Sequence, residues 1–261
     1  MIVEGKGCVA PDPVIVRCSK SLVDLCLAKA VERESFHGYR YSSSSYKRGL
    51  AGSFNFAGVQ IEKSVSAVFA GILGEYVVSE WLRSNRYDCT VPDVSLRSIG
   101  DSGFDLICRS KTIDVKTRIG VRRFGEKDTW EVTRVTGRKK LKSVLTCDAY
   151  IFCTLVTRPT MVKKKSGMSS VKTISSDVSQ GLLFDSHEFN RVSRNPSSAV
   201  HEDVVLINGW MYASQIADGY SCKFRKSSVG DNFNVSVQHR DIRGINDLID
   251  YLEFSGEYDV D

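Results

Sequence analysis

Three charged residues sit at close spacing inside sequence that otherwise reads as apolar strand: Asp105 in FDLIC, and Asp114 and Lys116 in IDVKT. A charge in a buried strand is costly unless it is paired, hydrogen-bonded or bound to a metal. Residues i and i+2 of a strand share a face, so Asp114 and Lys116 point together while Ile113 and Val115 point into the core. If the two segments form a hairpin with a tight connection at Arg109 and Ser110, Ile107 lies opposite Thr112. Asp105 then lies opposite Asp114, with both carboxylates on one face. Like charges so opposed repel, and positive charge must sit between them, from Lys116 or from a cation. Two carboxylates suit a hard ion such as Mg²⁺, which takes a few oxygens and keeps its waters. Taken alone, Asp114 and Lys116 also read as a surface ion pair that contributes little.

These residues need elements to position them. VIVRC at 14–18 reads as a short strand, and 19–36 as an amphipathic helix with a Ser cap. Residues 37–58, rich in Gly, Ser and Tyr, read as a loop whose Tyr39, Arg40, Tyr41, Tyr46, Lys47 and Arg48 either touch nucleic acid or form a plain surface connection. From 59 to 85 the apolar spacing predicts one helix, with Val68, Ile72, Ser79 and Leu82 on a stripe that includes Glu75. The hairpin of FDLICRS and KTIDVKTRIG follows a turn-rich connection, and DTWEVTRV suggests another strand. DAYIFCTLV and DVVLINGWM read as strands covered on both faces. A polar, Ser- and Lys-rich insertion spans 157–202, with VKTISS and GLLFDS as candidate strands; NFNVSVQHR suggests a further strand, and GINDLIDYLEF a final helix. The expected architecture is one α/β domain over 1–261, with a mixed sheet flanked by helices. Its core covers about 59–156 and 203–261, preceded by the N-terminal helix and loop at 1–58.

Charge is unevenly spread. The window 111–142 carries eleven Lys and Arg against four acids, +7 in a chain whose total is +5. The tail 241–261 carries seven acids against Arg243. A localised basic surface fits a polyanionic partner, although a solvated Lys-rich loop has the same composition. The eight cysteines form no CxxC pair and no zinc-type spacing with the four scattered histidines, so zinc is not expected. Several Cys lie in apolar runs, as reduced core thiols do. No run approaches the length of a membrane span, and the N-terminus lacks a signal-peptide core, so a cytoplasmic protein without membrane contact is expected.

A loop acid, about ten residues, then an apolar-acid-apolar-Lys strand resembles the PD-(D/E)XK nuclease superfamily, the restriction-endonuclease-like fold. The carrying residues are Gly103-Phe104-Asp105 and Ile113-Asp114-Val115-Lys116, with the upstream helical Leu73-Gly74-Glu75-Tyr76-Val77-Val78. Phe104 stands where the family often has Pro, and Gly-x-Asp is a form common among relatives. The resemblance covers residues 73–118. It implies that Asp105 and Asp114 bind one or two Mg²⁺ (with Mn²⁺ able to substitute), joined by the Val115 carbonyl and by Glu75. It implies that Lys116 orients and helps activate the attacking water, and that a phosphodiester is hydrolysed in line. Glu62 and Glu80 lie on the same predicted helix as alternatives to Glu75. The cysteines do not reproduce the iron–sulfur pattern of some exonuclease relatives, so no cluster is expected.

The expected function is a Mg²⁺-dependent deoxyribonuclease, in endonuclease form. Thr117, Arg118, Arg122, Arg123, Arg138, Lys139 and Lys140 would grip the DNA, and a homodimer is one admissible assembly. Two rivals stand beside it: a catalytically silent DNA- or partner-binding module with the same fold, and an RNA-directed nuclease. Cleavage that depends on Asp114 and Lys116 separates the first rival, and the choice of substrate separates the second.

Overall fold

AYIFCTLV is apolar at nearly every position, which suits a strand covered on both faces, and that run lies near the middle of the main sheet. The computed structural model describes residues 13–37, 53–93, 104–120, 129–136, 146–157, 203–217, 222–226 and 232–254. In chain order these form β1 (Val14–Arg17), α1 (Lys20–His37), β2 (Phe54–Phe56), β3 (Val59–Ile61), α2 (Ser66–Ser84), β4 (Leu106–Cys108) and β5 (Lys111–Gly120). There follow β6 (Thr129–Thr136), β7 (Ala149–Val156), β8 (Val204–Tyr212), α3 (Ala213–Ala217), β9 (Cys222–Lys226), β10 (Asn232–Gln238), a 3₁₀ turn (His239–Asp241) and α4 (Ile245–Phe254).

The main sheet has the order β1-β8-β7-β5-β4. β5 and β7 run parallel and the other neighbours antiparallel, so the sheet is mixed. One face packs Ile113, Val115, Ile151 and Leu155 against helical residues that include Leu22, Phe69, Leu73 and Leu248. The other face packs Tyr150, Phe152 and Met211 against Trp130, Val132, Val235 and Val237 of a smaller sheet ordered β6-β10-β9. The Trp130 and Phe152 rings meet there at 5.3 Å. β5 therefore lies between a helical layer and a second β layer, and its alternation assigns each side chain to one of them.

The Ser cap of α1 forms as expected, with the Leu22 amide donating to Ser19 Oγ at 3.2 Å. The predicted helix over 59–85 is shorter than its periodicity suggested. Residues 54–61 form a β2–β3 hairpin instead, and the helix begins at Ser66. Phe54, Phe56, Val59 and Ile61 are buried and alternate with exposed Asn55 and Gln60 around a two-residue turn at Ala57 and Gly58, both at positive φ. Three-residue strands leave too short an alternation to outweigh the helical pattern beside them. β9 and α3 have no counterpart in the sequence reading. The insertion 158–202 and the aromatic–basic loop 38–52 lie outside the described residues. Among the described residues no helix is long and apolar enough to cross a membrane.

Candidate active site

The hairpin of β4 and β5 turns at Arg109 (φ 44°) and Ser110 (φ 64°). Positive φ at both central residues is the geometry of a two-residue turn that matches strand twist, and it normally calls for Asn or Gly. Arg109 is held in it from outside. Its amide donates to the Asp88 carbonyl at 3.0 Å, its guanidinium lies 4.9 Å from the Tyr87 ring centre, and Nη1 donates to the Leu252 carbonyl at 3.4 Å. The turn sets the expected register: Ile107 pairs with Thr112, and Leu106 with Ile113.

One step beyond Leu106 the ladder changes character. The Asp105 amide still donates to the Ile113 carbonyl at 2.9 Å, but Asp105 Oδ2 accepts the Val115 amide proton at 2.6 Å. The carboxylate thus takes over from the β4 backbone as acceptor along that edge of β5. In an extended strand the N–H and C=O of one residue point to the same edge, so the Val115 carbonyl faces the side where Asp105 lies.

Asp114 and Lys116 share the β5 face that looks toward the smaller sheet. Lys116 Nζ lies 2.7 Å from Asp114 Oδ1, with 31% of the Lys side chain and 13% of the Asp side chain exposed. That exposure leaves a half-buried pair which solvent or a substrate can still reach. Burial pulls the Lys116 pKa down, but the carboxylates of Asp114 and then Asp105 outweigh it, so the ammonium is held above its usual value. The repulsion expected between the two carboxylates is therefore offset by Lys116 and by the Val115 amide together.

Two residues that the sequence reading did not single out complete this cluster. Tyr150 pairs with Asp114 across the parallel β5–β7 ladder, and Lys116 Nζ lies 5.8 Å from the centre of its ring. Burial first, then Cys147 and Asp114, push the Tyr150 hydroxyl far above its ordinary range. Cys147 hydrogen-bonds Tyr150, and burial pushes its thiol up to about 12. Both groups stay protonated and neutral around the charged trio. Tyr150 lay in a run read only as core, although the parallel pairing of β5 with β7 sets it beside Asp114.

Other expected site residues separate from this group. α2 packs on the opposite face of β5, where a side chain at Gly74 would overlap Thr117 Oγ1. Glu75 rides on that helix. Its charge helps burial raise the Cys26 thiol to about 12 and also raises the Tyr76 hydroxyl, but it is not among the groups acting on Lys116. Among the described residues Glu75, Asp105 and Asp114 do not form a ready-made metal-binding group. Thr117 is turned to the α2 side, because i and i+1 of a strand face oppositely. Glu80 pairs with Arg83 at 2.9 Å, and Glu62 lies on the β3–α2 connection. Arg118 is exposed on the Lys116 face, and its Nη1 reaches the Thr129 carbonyl at 3.5 Å. Arg122, Arg123, Arg138, Lys139 and Lys140 lie outside the described residues.

Among the described residues no group of three Cys, His, Asp or Glu side chains is gathered for a metal. Asp105, Asp114 and the Val115 carbonyl remain as an oxygen set. That set fits Mg²⁺, which is commonly held by one or two carboxylates with water and phosphate oxygens filling its octahedron. His239 is buried and accepts a hydrogen bond at Nδ1 from Trp130 Nε1 at 3.4 Å. Comparison of the chain with protein-family models, with curated proteins and with solved structures gave no match.

Proposed function

We propose that the chain is a Mg²⁺-dependent deoxyribonuclease of endonuclease type, with a restriction-endonuclease-like core acting inside the cell. The observation that carries this reading is the convergence of Asp105, Asp114 and Lys116 on one face of the β4–β5 hairpin, with the Val115 carbonyl on the adjoining edge. The order of α2, the β4–β5 hairpin and the parallel partner β7 supports it as well.

Asp105, Asp114 and the Val115 carbonyl would hold the ion; when bound, Mg²⁺ supplies Lewis-acid polarisation of the phosphate and lowers the pKa of water. The chain's own contribution is positional and electrostatic. Lys116, fully protonated at neutral pH, presents an ammonium that orients an attacking water and offsets charge growing on the phosphate. Asp114 fixes that ammonium at 2.7 Å. Tyr150 and Cys147 keep the floor of the site neutral, so they do not compete for the cation. Arg118, exposed on the Lys116 face, would grip the DNA backbone together with the rest of the basic sequence 118–142.

The test is cleavage of linear, circular, single-stranded and branched DNA, and of RNA, in Mg²⁺ or Mn²⁺, by the wild type beside Lys116→Ala. Cutting of circular DNA that Lys116→Ala loses supports the reading. Cutting of RNA alone moves the substrate. Binding without cutting identifies a silent module.

A further inference from the structure

Cys89 and Cys108 face each other across an isolated antiparallel bridge at the outer edge of the main sheet, and both are buried. The hydrogen bonds flanking the bridge fix its type: the Thr90 amide donates to the Ile107 carbonyl at 2.8 Å and the Arg109 amide to the Asp88 carbonyl at 3.0 Å. These bonds bracket the pair and do not join it, so Cys89 and Cys108 occupy a non-hydrogen-bonded position. Directly opposed residues there approach to about 4.5 Å between Cα atoms, with side chains close together. A disulfide spans Cα separations of about 4.4–6.8 Å. The two thiols hydrogen-bond each other, so sulfur already lies beside sulfur.

We propose that Cys89 and Cys108 form a modification site, a thiol pair that a hydroperoxide oxidises to a reversible cross-strand disulfide. The Cys108 sulfur attacks the terminal peroxide oxygen, the O–O bond breaks, and the other oxygen takes a proton and leaves as the alcohol, or as water when the oxidant is hydrogen peroxide. The Cys89 sulfur then attacks the Cys108 sulfenic acid, the S–S bond forms and the second oxygen leaves as water. Two thiols and one hydroperoxide give one disulfide, one water and one alcohol, or two waters when the oxidant is hydrogen peroxide.

Access and reversibility both follow from position. The bridge lies at the β4 edge of the main sheet, where local opening costs less than in its interior, and such opening admits a small oxidant to the buried sulfurs. The short Cα separation lies at the lower limit of unstrained geometry, and strained disulfides are the readily reduced ones. The bond closes the chain between Cys89 and Cys108 into a loop, which restricts the unfolded state. Of the other described cysteines, Cys18, Cys26, Cys147, Cys153 and Cys222 have no cysteine opposite them on a bridge.

The experiment treats the full chain with hydrogen peroxide, blocks remaining thiols with an alkylating agent and maps peptides by mass spectrometry. The expected result is a Cys89–Cys108 linked peptide, lighter by two hydrogens than the sum of its parts, that dithiothreitol removes. The oxidised chain should melt a few degrees higher than the reduced one. Cys89→Ala and Cys108→Ala, each checked for folding by circular dichroism, should lose the link without redirecting it to another cysteine. Absence of the linked peptide at peroxide doses that leave the chain folded overturns the proposal. So does a link that joins either residue to a different cysteine.

Discussion

Asp105 Oδ2 accepts the amide proton of Val115 at 2.6 Å, so the carboxylate that immediately precedes β4 completes the hydrogen bonding of the strand that carries Asp114 and Lys116. One side chain therefore serves the ladder and the site together. Its geometry is set by backbone register, not by a flexible loop, which gives the carboxylate a fixed relation to the Val115 carbonyl on the same edge.

Removing that carboxylate should be costly even without substrate. Asp105→Ala leaves the Val115 amide without its charged acceptor, a loss of roughly 1.5–3 kcal/mol. Urea denaturation should show the midpoint falling at unchanged slope, and cleavage should be lost as well. An unchanged midpoint would mean that water replaces the carboxylate freely.

Gly74 lets α2 lie directly on β5 at Thr117. Gly74→Ala forces a methyl group into Thr117, and overpacking of this kind costs about 1–3 kcal/mol. Thr117→Gly in the same chain should return part of the loss, measured as a coupling energy between the two sites in a double-mutant cycle. If the two losses simply add, the close approach is not the cause.

Ser110 holds φ 64° in the β4–β5 turn without being glycine. Ser110→Gly removes steric strain worth about 1 kcal/mol and adds some unfolded-state entropy. The expected net is a rise in thermal midpoint of one to a few degrees by calorimetry. A fall would show that the Ser110 side chain contributes more than its backbone costs.

Lys116 is held above its ordinary pKa of 10.5, first against burial and then by Asp114 and Asp105. Since the folded value exceeds the unfolded one, the stabilisation is fully present below the unfolded value. It is lost as pH rises through the folded value. Wild-type stability should therefore decline in alkaline solution more steeply than that of Lys116→Met, followed by urea midpoints on both sides of pH 10.5. Parallel declines would remove Lys116 as the source.

Much of this site is legible in the residues themselves. The i, i+2 alternation of Ile113, Asp114, Val115 and Lys116 reports one buried face and one chemical face, and the nine-residue offset from Asp105 reports a hairpin of fixed register. Glu75 is different. Its helical periodicity places it on a stripe, but which face of a strand a helix covers depends on long-range packing, here the fit of Gly74 against Thr117. Tyr150 is invisible for a similar reason, because its place beside Asp114 depends on a parallel pairing between strands far apart in sequence. The β2–β3 hairpin was hidden by its length, since three residues of alternation do not outweigh an adjoining helix. The buried runs of β7 and β8, by contrast, declare themselves through composition alone.

The most direct measurement compares wild type with Asp114→Asn on supercoiled circular DNA in Mg²⁺, read as conversion to nicked and linear forms. The asparagine keeps the shape of the side chain but not the charge that pairs with Lys116 and would hold the ion. The wild type should cut, and Asp114→Asn should not, while keeping its circular dichroism spectrum and DNA affinity. Equal cutting by both proteins, or no cutting by the wild type in either Mg²⁺ or Mn²⁺, would contradict it.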